Sequence, residues 1–370
     1  MHIVQVVWYK IYPAITGGQK GIAGFTDSLS KQVTVSTLCS KDNAVDAKAT
    51  HTILPILNTG KLQVLWPSNY IRILQYTKAV QATHLVLEHP YYMLLYYILP
   101  NKIKKILHSH NIEYLRAKHT HKWWWPVLYY IEKWATQKAD MIWCKTKADQ
   151  SFVVHNWHIP IAKTCIVPYG ITKVTVHNEL NENDDTLRKS LCIPNNHSII
   201  LLAASYNYAP NAEALLHLLN QVWPVIYKHN KHITLLLIGT HLPECLSAYN
   251  VSLPAHVHAV GQVANLAPYY AISTLLANTV LTAQGVQTKS IDALAQHCKV
   301  VMYHTAAHGM PVHEPNCVIV PVVNAEQYAA VVLAQLLLPK QNTSDEYISK
   351  HMWYGIVQST LHYVRTYDEQ

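Results

Sequence analysis

The residues best suited to chemistry lie between Val280 and Ala295, in the run Val-Leu-Thr-Ala-Gln-Gly-Val-Gln-Thr-Lys-Ser-Ile-Asp-Ala-Leu-Ala. It reads as the end of a strand, a glycine-containing turn and the start of a helix. Backbone N–H groups at a helix start, reinforced by the macrodipole, make an anion site. Gly285 lets a phosphate approach the backbone closely. Lys289 adds a full positive charge about one turn on. Asp292, three residues further on the same face, is placed to accept hydrogen bonds from ribose hydroxyls. The same residues also suit a capped helix with a Lys–Asp surface pair.

Three other segments have the right residue types. Gly17-Gly18 follows the first expected strand and precedes an expected helix at 21–31, as in the glycine-rich turns that face phosphates. It lacks the full dinucleotide and Walker patterns, so nicotinamide-cofactor and P-loop readings fail. A glycine pair also serves as an ordinary loop. His108-Ser109-His110-Asn111-Ile112-Glu113 closes another strand, where open α/β sheets place ligands. The two histidines share a face, yet no third ligand stands at a recognisable spacing, and no metal is expected. Trp123-Trp124-Trp125-Pro126 beside Arg116, Lys118 and Lys122 has the composition of a membrane-interface patch. The preferred account is that these tryptophans cap the apolar face of the next helix.

The elements that must carry these residues follow from the hydrophobic pattern. Apolar, mostly non-alternating runs at 2–8, 33–38, 51–57, 84–88, 105–110, 141–144 and 164–168 read as strands of a parallel sheet buried on both faces. A second series lies at 198–203, 232–238, 256–260, 275–278, 299–303 and 317–321. Helices fit at 125–138, 211–230, 289–297, 325–337 and 345–367. Two successive βα series imply two doubly wound α/β domains facing a cleft, with the joint near 168–179. The boundaries expected are 1–170, 171–344 and a C-terminal helix at 345–370 that packs on the second domain or back toward the first.

Composition narrows the class. Half of the 370 residues are hydrophobic and only 14% are charged, which excludes a disordered chain. The seven cysteines stand singly, without metal or redox spacing, and suit a reducing compartment such as the cytoplasm. The first residues look like a strand rather than a targeting segment, and no apolar run is long enough to span a bilayer. Residues 1–165 carry 19 Lys+Arg against 8 Asp+Glu, a basic half suited to an anionic acceptor or membrane surface, or simply a solvated face. No nucleic-acid motif accompanies it.

Taken in order, these segments resemble the family 4 (group 1) glycosyltransferases, whose fold is GT-B. The run Ile112–Gly170 looks especially like enzymes of bacterial surface-polysaccharide pathways. The resemblance spans Gly17-Gly18, His110–Glu113, Val167-Pro168-Tyr169-Gly170-Ile171, Ala203–Asn211, Leu237-Ile238-Gly239, Val260–Val263 and Gly285-x-x-x-Lys289-x-x-Asp292.

The resemblance implies a donor site between Ser205 and Asp292. Ser205 and Gly239 would line the nucleotide cleft, and the backbone near Val263 would meet the base. Gly285 and Val286 would offer N–H groups to the diphosphate, Lys289 would counter its charge, and Asp292 would hold the ribose. Gly17 and Gly18 would face the diphosphate or acceptor, and His110 the transferred sugar. The reaction implied is transfer from a nucleotide-diphosphate sugar to an acceptor hydroxyl with retained configuration and no cofactor; the sequence offers no Asp-x-Asp to hold a metal.

Two departures stand out. The family's pair of glutamates reads Gln284 and Asp292, and the arginine usual after the first strand of the second domain is missing from 203–211. They leave two alternatives, a catalytically degenerate protein that binds a nucleotide sugar or a partner, and a sugar-nucleotide epimerase.

Overall fold

The computed structural model describes residues 1–45, 49–60, 62–171, 181–282, 285–311 and 313–369. The chain divides into two compact units, Met1–Thr172 with His351–Gln370, and Lys173–Lys350.

In the first unit the strands are β1 (His2–Val7), β2 (Thr34–Ser40), β3 (Thr52–Leu57), β4 (His84–Glu88), β5 (Lys104–Ser109), β6 (Met141–Cys144) and β7 (Thr164–Ile166). Its helices are α1 (Gly17–Leu29), α2 (Pro67–Ala79), α3 (Leu95–Ile98), α4 (Glu113–His119), α5 (Trp125–Lys138) and α6 (Lys147–Trp157). The second unit contains α7 (Asn181–Ser190), β8 (Ser198–Ala203), α8 (Ala209–His217), α9 (Trp223–His229), β9 (Ile233–Ile238), α10 (Leu242–Ala248), β10 (Val257–Gly261) and α11 (Ala267–Ile272). It continues through β11 (Leu275–Asn278), α12 (Thr288–Ala295), β12 (Lys299–Tyr303), β13 (Cys317–Val320), α13 (Ala325–Leu337) and α14 (Asp345–His351). Helix α15 (Trp353–Asp368) closes the chain.

Both sheets are wholly parallel. The first has the order β3-β2-β1-β4-β5-β6-β7 and the second β10-β9-β8-β11-β12-β13. Central strands such as β9, Ile-Thr-Leu-Leu-Leu-Ile, are buried at every position because helices cover both faces. In each sheet the order reverses once, between β1 and β4 and between β8 and β11. At such a switch point the flanking connections leave to opposite faces, and a crevice opens at the carboxyl ends of the strands.

Local chemistry moved some boundaries. Helix α1 begins at Gly17 rather than at 21, because Thr16 and Gln19 form a capping box. Gly17-Gly18 is therefore the first turn of the helix and not a preceding loop. The segment expected as one helix over 345–367 is two helices, separated at Met352, which pairs with Ile171. Trp353 then packs against α1 and Tyr169. A Cβ on Gly24 would lie 2.5 Å from its ring, and one on Gly170 2.4 Å. Both positions leave room for nothing larger than glycine unless the indole moves.

Candidate functional site

In the second unit three segments converge at the switch point beyond β8 and β11. Ser205 follows β8, and its hydroxyl hydrogen-bonds with Thr240 Oγ1 at 2.6 Å and Asn207 Oδ1 at 2.9 Å. Asn211, in the first turn of α8, donates to the Ser205 carbonyl at 2.9 Å and accepts from Lys289 Nζ at 3.3 Å. The Ser205 loop and the start of α12 are thus joined through one amide side chain. Asn211 belongs to a segment singled out in the sequence, but no role for it was legible there.

Gly239 is what lets these loops approach. A Cβ there would lie 1.6 Å from the Ala204 carbonyl oxygen, and its φ is +141°. Its N–H donates to the Gly261 carbonyl at 2.8 Å, which ties the end of β9 to that of β10. Val263 lies just past β10 and is half-buried.

The N-terminus of α12 suits an anion. Gln287, its N-cap, makes no side-chain capping bond. Gly285 has φ +89°, and Val286 follows it in the turn just before the N-cap. The helix is pinned from behind: Asn278 Nδ2 donates to Ser290 Oγ at 3.0 Å, and the Tyr270 hydroxyl donates to the Lys289 carbonyl at 3.2 Å. Lys289 is half-buried by area, but its ammonium sits among protein atoms, and that burial lowers it to about 8. Asp292 lies on the next turn, partly buried. Gln284 falls outside the described residues.

In the first unit the strand ends hold a buried polar chain. Glu88 ends β4 directly opposite His108 on β5. Its carboxylate is in hydrogen-bond contact with His108 Nδ1 at 3.0 Å and with His110 Nε2, and it accepts from Gln5 Nε2 at 2.7 Å. Gln5 in turn accepts from the hydroxyls of Thr26 at 3.0 Å and Thr37 at 2.8 Å. Burial opposes ionisation of Glu88, but the fields and hydrogen bonds of the two imidazoles prevail and hold it well below the usual carboxylate range. Burial, which disfavours charge, lowers both imidazoles, His108 to about 4 and His110 well below its ordinary value.

Glu88, His108 and His110 bring ligand-type atoms within 4.8 Å of one another, so the third group that spacing did not reveal is Glu88. They could hold a metal ion. The competing arrangement is the one present, in which the carboxylate takes hydrogen bonds from both rings. Lys145, buried beyond β6, places a further positive charge nearby that disfavours a second cation.

His89 follows Glu88 with φ +78°, an uncommon backbone for a residue with a side chain. Its ring lies 4.7 Å from that of His110 and 3.5 Å from the Glu113 carboxylate. Glu113 also accepts from Tyr91 at 3.3 Å and from Arg116. Gly17 and Gly18 open α1 at the carboxyl end of β1, with Gly18 beside the Tyr9 hydroxyl. Of the three tryptophans expected to cap the next helix, Trp125 is half-buried at the start of α5 with its ring 6.5 Å from that of Tyr114, whereas Trp123 is 86% exposed and Trp124 is also on the surface.

Residues 197–337 match the family model described as glycosyl transferases group 1. That segment contains every candidate from Ser205 to Asp292. No curated relative matches the chain by sequence. Among solved structures, the chain is similar to HepE from Anabaena in complex with UDP and glucose, at 14% identity and a TM-score of 0.71, covering 100% of this chain and 99% of that one. Sucrose-phosphate synthase from Thermosynechococcus elongatus aligns at 14% identity, a TM-score of 0.76 and full coverage of both chains. WaaG, a glycosyltransferase involved in lipopolysaccharide biosynthesis, aligns at 14% and 0.66, covering 98% of this chain and 95% of that one. At such identities the likeness shows the fold, which is GT-B with two Rossmann-like units.

Proposed function

We propose that this chain of GT-B fold, whose residues 197–337 match the group 1 glycosyl transferase model, transfers a sugar from a nucleotide-diphosphate donor to a hydroxyl of a glycan or lipid-linked acceptor. The observation that carries this reading is the convergence of Ser205, Asn211 and Lys289 on the start of α12. It gathers backbone N–H groups and one buried ammonium where a diphosphate would sit.

In the reaction the bond from the anomeric carbon to the diphosphate oxygen breaks, and the acceptor oxygen bonds to that carbon as its proton leaves. The demand on the protein is to stabilise charge growing on the departing diphosphate. The N–H groups at Gly285 and Val286 and the Lys289 ammonium supply fixed positive charge there, which preorganised sites do at little reorganisation cost. Asp292 would accept from the ribose, Gln284 would lie near the donor sugar, and the backbone at Val263 would border the base. Gly17 and Gly18 would present the α1 N-terminus to the diphosphate or acceptor, and His110, oriented by Glu88, would meet the transferred sugar. These groups need no metal ion and no cofactor. Retention of anomeric configuration, a place in surface-polysaccharide or glycolipid synthesis, and a position at the cytoplasmic side of a membrane complete the reading.

The test is thermal stability of the purified protein against UDP-, GDP-, ADP- and dTDP-sugars, with Lys289→Ala in parallel. One nucleotide class should stabilise the protein by about 2.7 kcal/mol at a hundredfold excess over its Kd. The variant should lose that gain. A panel with no effect, or a gain that survives Lys289→Ala, would remove the donor site from this position. Binding with no nucleoside diphosphate released in the presence of acceptors would leave the degenerate reading. Isomerised free sugar nucleotide would indicate an epimerase.

A further inference from the structure

The first unit has a surface that the transfer reaction does not explain. Helix α5 buries Leu128, Glu132, Ala135 and Thr136. Its outer face carries Val127, Tyr130 and Trp134 at i, i+3 and i+7, which are 58%, 55% and 48% exposed. Trp123, just before the helix, projects further still. The patch runs on to the neighbouring short helix α3, where Tyr97 and Ile98 are exposed. The two helices are linked there by Lys138 Nζ, 5.3 Å from the centre of the Tyr97 ring. A contiguous apolar and aromatic surface on a folded protein normally marks an interaction site.

The charge on this surface has one sign. Between Leu94 and Lys138 the acidic side chains are Glu113 and Glu132, and both are buried. Lys118, Lys122 and Lys138 are exposed around the tryptophans and tyrosines. Exposed indole and phenol rings with lysines at their rim match the interfacial region of a bilayer, where the ring meets the acyl boundary and the ammonium meets phosphate. A second copy of the chain would bring the same positive rim against itself. No described helix is long and apolar enough to cross a membrane.

We propose that the α3–α5 face docks on an anionic membrane surface, with Trp123, Tyr130 and Trp134 entering the headgroup layer and Lys118, Lys122 and Lys138 pairing with lipid phosphates. Helix α5 then links membrane to site. On its buried side Glu132 accepts the backbone N–H groups of Glu113 and Tyr114, which begin the helix next to His89 and His110. Docking would hold the strand ends of this unit at a fixed height above the lipid, where a lipid-linked acceptor is presented.

The experiment is co-sedimentation of the full chain with vesicles of phosphatidylcholine alone and of phosphatidylcholine with phosphatidylglycerol, with no nucleotide present. Its outcome is therefore independent of whether the chain transfers sugar. Binding is expected to the anionic vesicles and to weaken with salt. A Lys118→Gln, Lys122→Gln, Lys138→Gln variant should bind roughly a hundredfold more weakly, since each of the three lysines near an anionic surface contributes about a fivefold factor. A Trp123→Ser, Tyr130→Ser, Trp134→Ser variant should lose binding while keeping its circular dichroism and melting temperature, because these side chains are on the surface. Equal binding by the parent and both variants would overturn the proposal. So would failure of the parent to bind anionic vesicles, or a concentration-dependent dimer abolished by the aromatic substitutions.

Discussion

Glu132 accepts the backbone N–H of Glu113 at 2.8 Å, so a carboxyl group on α5 caps the helix that carries the next buried carboxylate. Its second oxygen takes the N–H of Tyr114 at 2.9 Å. Ile112 occupies the N-cap of α4 and has no side-chain oxygen to do this, so the capping group comes from a different helix. Burial pushes the Glu132 carboxyl up to about 8, which makes an uncharged replacement the closest mimic.

Glu132→Ala would leave two buried N–H groups without acceptors, and should cost about 2–4 kcal/mol of stability. Glu132→Gln keeps one carbonyl acceptor and should cost roughly half as much. Urea unfolding of the two variants against the parent checks the order. Equal losses would mean that packing, and not the cap, sets the value.

Glu88 should act on catalysis through His110. Its carboxylate fixes His110 by Nε2, leaving Nδ1 as the ring nitrogen free to meet substrate. Glu88→Gln keeps the shape but loses the charge that orients the imidazole. We expect kcat to fall by about 10–100-fold, the range typical of a supporting carboxylate, with the donor KM little changed. Steady-state kinetics check the split, and nitrogen NMR of the His110 ring checks that its tautomer shifts. A raised donor KM with an unchanged tautomer would count against the role.

Lys289 sets a pH dependence. In the proposed donor site its ammonium, lowered by burial to about 8, would have to be charged to counter a diphosphate. Nucleotide affinity should be level below pH 8 and fall roughly tenfold per pH unit above it, the slope of one lost proton. Lys289→Met should bind more weakly throughout and lose that slope. The ligand-free protein should behave oppositely. Between about 8 and 10.5 the unfolded chain binds more protons than the folded one, so this group makes stability rise with pH in that window. Isothermal titration and thermal melts over pH 7–10 test both signs.

Much of the scaffold was legible because parallel strands buried on both faces announce themselves as apolar runs. Met141–Cys144 and Lys299–Tyr303 have in the structure the bounds the pattern predicts. Glu88 was hidden for a different reason. Its strand was recognised, but its partnership with His108 depends on β4 lying beside β5, and lateral order is not written in a local pattern. Gly17-Gly18 reads as a loop because glycine usually signals one, although Thr16-x-x-Gln19 carries the capping signature. The exposure of Trp123 could not be read from its type, since a buried and an interfacial tryptophan look alike in sequence. Asn211 carries no signal in the sequence because asparagine near a helix start is ordinary, and only its contact with Lys289 sets it apart.

Two glycines in the second unit give the sharpest structural prediction, because the same substitution meets opposite surroundings. Gly239 and Gly261 both have positive φ, at +141° and +79°. A Cβ at Gly239 would overlap the Ala204 carbonyl, whereas one at Gly261 meets nothing within 4 Å. Gly261→Ala therefore costs only backbone strain, about 1 kcal/mol. Gly239→Ala must separate the end of β9 from the loop after β8, breaking the approach that sets Ser205 against Thr240. It should cost about 3 kcal/mol or more, in the range of severe backbone and overpacking defects, and abolish nucleotide binding even where the protein remains folded. Melting temperature and nucleotide titration of both variants decide it. If Gly239→Ala bound nucleotide as the parent does, the juxtaposition of these two loops would not be a requirement of the donor site.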